Sequence, residues 1–167
     1  MADTHTSPAG WPLTARTVAE ATDQGVRAAR AQDIGDFRDA VGRLEKHAEV
    51  AREVHGLMVR ELLETLYQDG VSGDDVSEVL RRTITGAGLW DAPADPSAVV
   101  VVLTGALGVA EPGEDGEGRT TAIAAADVVG AAVLVIADLL AAGKIDHKDY
   151  LMRAVEEIRR AQTVEMP

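Results

Sequence analysis

Apolar residues recur every three or four positions along most of this chain, and that spacing predicts helices. A first helix is expected over 14–32, with Val18, Ala21, Thr22, Gly25, Ala28 and Ala29 on a weakly apolar face and Gly25 lowering its propensity. A turn over 33–36 follows. Asp36 is the expected N-cap of a short second helix that stacks Phe37, Val41 and Leu44. Helicity then continues over 45–68. Val50, Val54, Leu57, Met58, Leu62, Thr65 and Leu66 form its apolar stripe, and Glu45, Glu49, Arg52, Glu53, Arg60 and Glu64 cover the polar side. Within it, Gly56 signals a close crossing or a kink. Gly70 suits the left-handed position that ends such a helix. Ser72 caps a helix over 73–85, with Val76, Val79, Leu80, Thr83 and Ile84 inward, and Gly86-Ala87-Gly88 stops it.

The second half of the chain is more apolar. Asp95-Pro96 is an N-cap followed by proline at the first helical position. The four valines over 99–102 favour a strand by propensity, but the start signal together with Leu103, Ala106, Leu107 and Val109 favours a helix. Residues 111–118, rich in glycine and acid, read as an exposed loop. Thr120 or Thr121 then opens a long helix that ends near Ala142 and is apolar nearly all round, so most of its sides need cover. Gly143 ends it. Asp146 is the expected cap of a last helix over 148–162, with Tyr150, Leu151, Ala154, Val155 and Ile158 inward. The flanks read as a polar arm over 1–12, anchored by Trp11, and a frayed tail over 163–167. Between them lies one domain, 13–162: an all-α fold, a single compact bundle of about six helices built on the two long ones.

Within 28–44, Gly35-Asp36-Phe37 followed by Ala40 and Leu44 resembles the join between helices in tetratricopeptide repeats, over half a repeat and without a second copy. A fainter internal echo pairs 62–72 with 136–146, each a helix, a glycine turn and a capped helix.

Composition narrows the function. With no cysteine, disulfide scaffolds, cysteine-ligated metals and thiol nucleophiles are excluded. Acids outnumber bases 28 to 16, a net charge of −12, which argues against nucleic-acid binding. Aromatic residues are only 3% of the chain, so alanine, valine, leucine and isoleucine must build the core, leaving little aromatic wall for a cofactor pocket. Asp127 and Asp138 interrupt the long apolar stretch with ten residues between them, fewer than the ~20 that span a bilayer. No basic start and apolar run mark a signal peptide. A cytoplasmic protein without a membrane partner is expected. The Ala/Val/Arg/Asp/Gly bias suggests a GC-rich bacterial coding sequence.

Several constellations bear on chemistry. Gly113 to Thr120 has the spacing of a phosphate loop with arginine for lysine, but Glu111, Glu114, Asp115 and Glu117 set four negative charges where phosphate would sit. The stretches after Asp69 and around Gly143 look like pieces of calcium-binding loops, yet lack the ligand spacing and read as helix caps. The unit 62–84 has a helix-turn-helix outline, but Asp74, Asp75 and Glu78 stand where a DNA reader needs basic residues. His47 and His55 lie about 80° apart in azimuth on one helix, beside Glu45, Glu49 and Glu53. Their spacing points them to different faces, and solvated ion pairing is the plain reading. Asp127 and Asp138, eleven apart and so on nearly one face, are the candidate ligand-binding residues. They either line a pocket or an oligomer contact, or meet solvent or an arginine such as Arg153 near the helix ends.

The first functional expectation is therefore a non-enzymatic interaction or regulatory protein that acts through its acidic surface on a protein partner. A homodimer would help cover the apolar helix, and no cofactor is expected. The second is a helical bundle that binds a small molecule or metal through Asp127/Asp138 or His47/His55, with or without catalysis. An acidic mimic of nucleic acid ranks third.

Overall fold

The structure is a computed structural model that describes residues 12–109 and 123–165. Among them are seven helices and no strand: α1 (Leu13–Ala31), α2 (Ile34–Glu45), α3 (Ala48–Leu66), α4 (Gly73–Gly88), α5 (Pro96–Leu107), α6 (Ala125–Gly143) and α7 (Lys148–Glu165). The all-α class is as expected.

Local chemistry sets most boundaries. Gln32 ends α1 in the left-handed conformation, with the Asp33 N–H reaching back to the Ala28 carbonyl at 2.9 Å. Asp33, rather than Asp36, caps α2: its Oδ1 accepts the Asp36 N–H at 3.0 Å, so the turn is shorter than expected. Ser72 and Asp75 form a full capping box on α4, which runs on through Gly86-Ala87-Gly88 because Ala87 is buried. Asp95 caps α5 through the Ser97 N–H at 3.0 Å, and Gly108 closes it in the left-handed region. The four valines are helical because Val99 and Val102 are buried with Ala98, Leu103 and Ala106, and tertiary burial overrides their propensity.

Other boundaries differ from the sequence reading. The expected helix over 45–68 is broken at Lys46-His47, where the His47 N–H bonds the Leu44 carbonyl, and α3 begins anew. It ends at Leu66 with Tyr67 as cap, and Gly70 takes its positive φ in the turn beyond. α6 starts at Ala125, while Thr120 and Thr121 lie outside the described residues, as do the glycine loop and the N-terminal arm through Trp11. His147, rather than Asp146, stands at the N-cap of α7, its carbonyl accepting the Leu151 N–H at 2.9 Å; α7 reaches Glu165.

The chain wraps around α6. Eleven of its nineteen residues are buried, and it packs against α1, α2, α3, α4 and α5. Small residues permit this. A Cβ on Gly25 would stand 3.2 Å from Val133 Cγ1, so the glycine lets α1 cross α6 closely. Beside it, Phe37 of α2 packs over Gly130 and meets Trp90 edge to face at 5.4 Å. Most of the cover of this helix comes from within the chain. Length and composition alone make α6 long and apolar enough to cross a membrane even with its two aspartates, and 67% of that window is buried inside this fold.

Contacts at the helix ends fix their relative directions. The C-terminal ends of α3 and α6 meet, since a Cβ on Gly143 would lie 2.7 Å from Leu66 Cδ2, so these helices run parallel. α7 runs antiparallel to α3: Tyr150 bonds Thr65 at 3.0 Å and Arg153 pairs with Glu61 at 3.0 Å.

Phe37 is 1% exposed and joins α2, α6 and the Trp90 turn. Phe37→Ala is expected to cost about 3–5 kcal/mol of unfolding free energy, measured by urea denaturation followed through tryptophan emission.

Candidate ligand cleft

One side of α6 is left incompletely covered, between α5 and α7 over α3. The opening is a cleft of about 1180 Å³. Its floor is formed by buried Val102, Ala106, Val128, Val129 and Ala132, with His55 in the wall. Half-buried Leu57, Ile123 and Ile158 complete the apolar surface, and the rim carries Arg52, Glu53, Arg60, Asp95, Ser97 and Glu157. Among the described residues no phenylalanine, tyrosine or tryptophan lines it.

Two glycines face the cleft. Gly56 in α3 and Gly105 in α5 line it, and a Cβ on either would meet no atom within 4 Å. Gly56 therefore marks no close crossing, in contrast to Gly25. A glycine inside a helix costs about 1 kcal/mol relative to alanine, and here no packing contact offsets it.

His55 is the buried polar group of the wall, 1% exposed, where the sequence reading placed it at a solvated helix surface. The reason is its register: it falls between Val54 and Met58 on the buried stripe of α3. Its Nε2 shares a hydrogen bond of 2.9 Å with Thr22 Oγ1 of α1, and its Nδ1 is buried without a partner. Burial disfavours the imidazolium and brings the pKa down to about 4, so the ring is neutral at pH 7. His47 is half-buried at the start of α3 and does not join it in the cleft.

The structure does not bring Asp127 and Asp138 together. Asp127 is exposed in the first turn of α6 and lines a separate hollow of about 420 Å³ with Phe37, Arg38, Glu45 and Asp95. Asp138 makes a two-pronged ion pair with Arg82 of α4, the shortest contact 2.7 Å, with side chains 16% and 28% exposed. Its partner is thus Arg82, while Arg153 pairs with Glu61. Asp138 raises the Arg82 pKa through the same hydrogen bonds.

A third contact escaped the sequence reading. His147 is 5% exposed, and its Nε2 lies 2.7 Å from Asp23 Oδ1 of α1, fastening the α6–α7 turn to the first helix. That hydrogen bond, with Arg27 beside it, lowers the Asp23 pKa. Among the described residues no group of three His, Asp or Glu side chains is placed to hold a metal ion.

No known protein family, curated protein or solved structure matches this chain, so its geometry carries the functional argument.

The His55 environment fixes a sign for pH. Its folded pKa of about 4 lies below the ordinary 6.5, so the unfolded chain takes up the proton first as pH falls. Stability from this group is complete above pH 6.5 and lost between there and pH 4, a difference of the order of 3 kcal/mol. Denaturation of the wild type and of His55→Leu across this range should show that loss in the wild type alone.

Proposed function

We propose that this chain is a non-catalytic binding protein for an apolar small molecule held in the cleft. The supporting observation is the opening itself, its floor aliphatic and its walls bearing Gly56 and Gly105, where an added Cβ would meet nothing within 4 Å. Ligand sites are concave, mostly apolar, and carry a few polar groups that orient the occupant. This cleft has that composition. The lack of large aromatic rings favours a flexible aliphatic body over a flat ring system.

Binding without chemistry follows from the groups at hand. His55 is neutral, deep in the wall and engaged by Thr22. Asp95 accepts the Ser97 N–H as a helix cap, and Glu157 and Arg160 pair at 3.4 Å. Among the described residues no activated nucleophile lines the surface. Small-molecule binding thus ranks above the acidic docking role that charge alone suggests.

A neutral dye such as Nile red should bind saturably at one site per chain. Gly56→Leu and Gly105→Leu should each weaken it at least tenfold while the helical circular-dichroism spectrum is retained; unchanged binding by both would overturn the proposal. Gly56→Ala, which adds a methyl into open space, should raise stability by about 0.5–1 kcal/mol and the Tm by roughly 1–4 °C.

A further inference from the structure

Resting on the cleft as a binding site, we infer its occupant: a single-chain anionic amphiphile, with its carboxylate at the end where α3, α5 and α6 begin. The cleft is lined there by Ala48, the first residue of α3, by Asp95 and Ser97 at the start of α5, and by Ala125, the first residue of α6. Three helix N-termini thus open on one end of one cavity. Those of α3 and α6 contribute a partial positive charge and N–H groups without intrahelical partners, whereas α5 begins with Pro96, which has no N–H, and its Ser97 N–H is taken by Asp95. Those of α3 and α6 receive no side-chain cap, since His47 and Ala124 at their N-caps make no such bond. Backbone donors at such ends are suited to a carboxylate.

The side chains at this end agree. Arg52 stands one turn into α3 on the cleft rim and makes no ion pair among the described residues, although acids exceed bases by twelve in the chain. The other rim arginine, Arg60, lies 3.5 Å from Glu64. Of the rim acids, Glu157 is paired with Arg160, while Glu53 and the capping carboxylate of Asp95 oppose the anion. The first-turn acids of α3 and α6, Glu49 and Asp127, do not line the cleft. His55, three residues beyond Arg52, adds a buried nitrogen without a partner to the same wall. Beyond it the floor of Val102, Ala106, Val128, Val129 and Ala132 is wholly aliphatic, which suits an alkyl tail.

The test is displacement of Nile red at pH 7.5 by dodecanoate, dodecanol and dodecylamine, below their aggregation concentrations. Dodecanoate should compete at least tenfold more strongly than dodecanol, and Arg52→Gln should bring that ratio close to one. Equal competition by acid and alcohol in the wild type, or a preference for the amine through Glu53, would overturn the anionic head while leaving the cleft reading intact. A ratio unchanged by Arg52→Gln would overturn the role of Arg52 and with it the inference. Should none of the three displace the dye, and Gly56→Leu leave dye binding unaltered, the binding site itself falls.

Discussion

The burial of α6 is the constraint on which the rest of the molecule depends. A helix apolar on nearly every side gains nothing from water on any of them, so five other helices are drawn against it. Covering it that densely requires close approach, and the residues at the crossings are accordingly small. Gly25 admits Val133, and Gly130 lies under the Phe37 ring. The two aspartates of α6 are tolerated because neither is left both buried and unpaired. Asp127 sits exposed in the first turn, where the helix dipole favours it, and Asp138 meets Arg82.

Much of this was legible from pattern. The apolar character of α6, the helical state of the valine run and the capping box at Ser72 all followed from spacing and cap chemistry. The break between α2 and α3 did not, for a definite reason. Phe37, Ala40, Leu44, Ala51, Val54, Met58 and Leu62 continue one helical stripe in phase across Lys46-His47, so periodicity hides the change of direction. Nor do glycine or proline mark it. Pairings such as Arg82 with Asp138, or His147 with Asp23, join residues distant in sequence and depend on how helices dock, which no local rule supplies. The burial of His55 was available in principle. Its position follows Val54 and precedes Met58 on the stripe, but the glutamates around it drew the reading to the surface.

The acidity of the chain is organised rather than uniform. Five of the ion pairs among the described residues are local, spanning three or four residues on one helix, where each contributes little. Four reach between elements and do different work, among them Arg43–Glu20, which joins α2 to α1. Arg82–Asp138 ties α4 to α6, Arg153–Glu61 ties α7 to α3, and His147–Asp23 ties the last turn to α1. Of these, Arg153–Glu61 holds α7, one wall of the cleft, along α3.

Two kinds of glycine lie inside these helices, those at close crossings and those facing open space, and of the second kind Gly56 and Gly105 line the cleft while Gly42 and Gly86 do not. Gly25 and Gly130 give up helix propensity and receive close packing in return. Gly56 and Gly105 give up as much and receive open space. A fold under pressure for stability alone would place alanine or leucine at both and close the gap over Val128, Val129 and Ala132. The void persists although α6 has every apolar reason to be covered there too. In the proposed function an aliphatic occupant would supply the missing cover, burying the same surface that a sixth packed helix would. On that view ligand binding and the completion of the core are one event, and the free energy of binding comes chiefly from finishing the burial of α6.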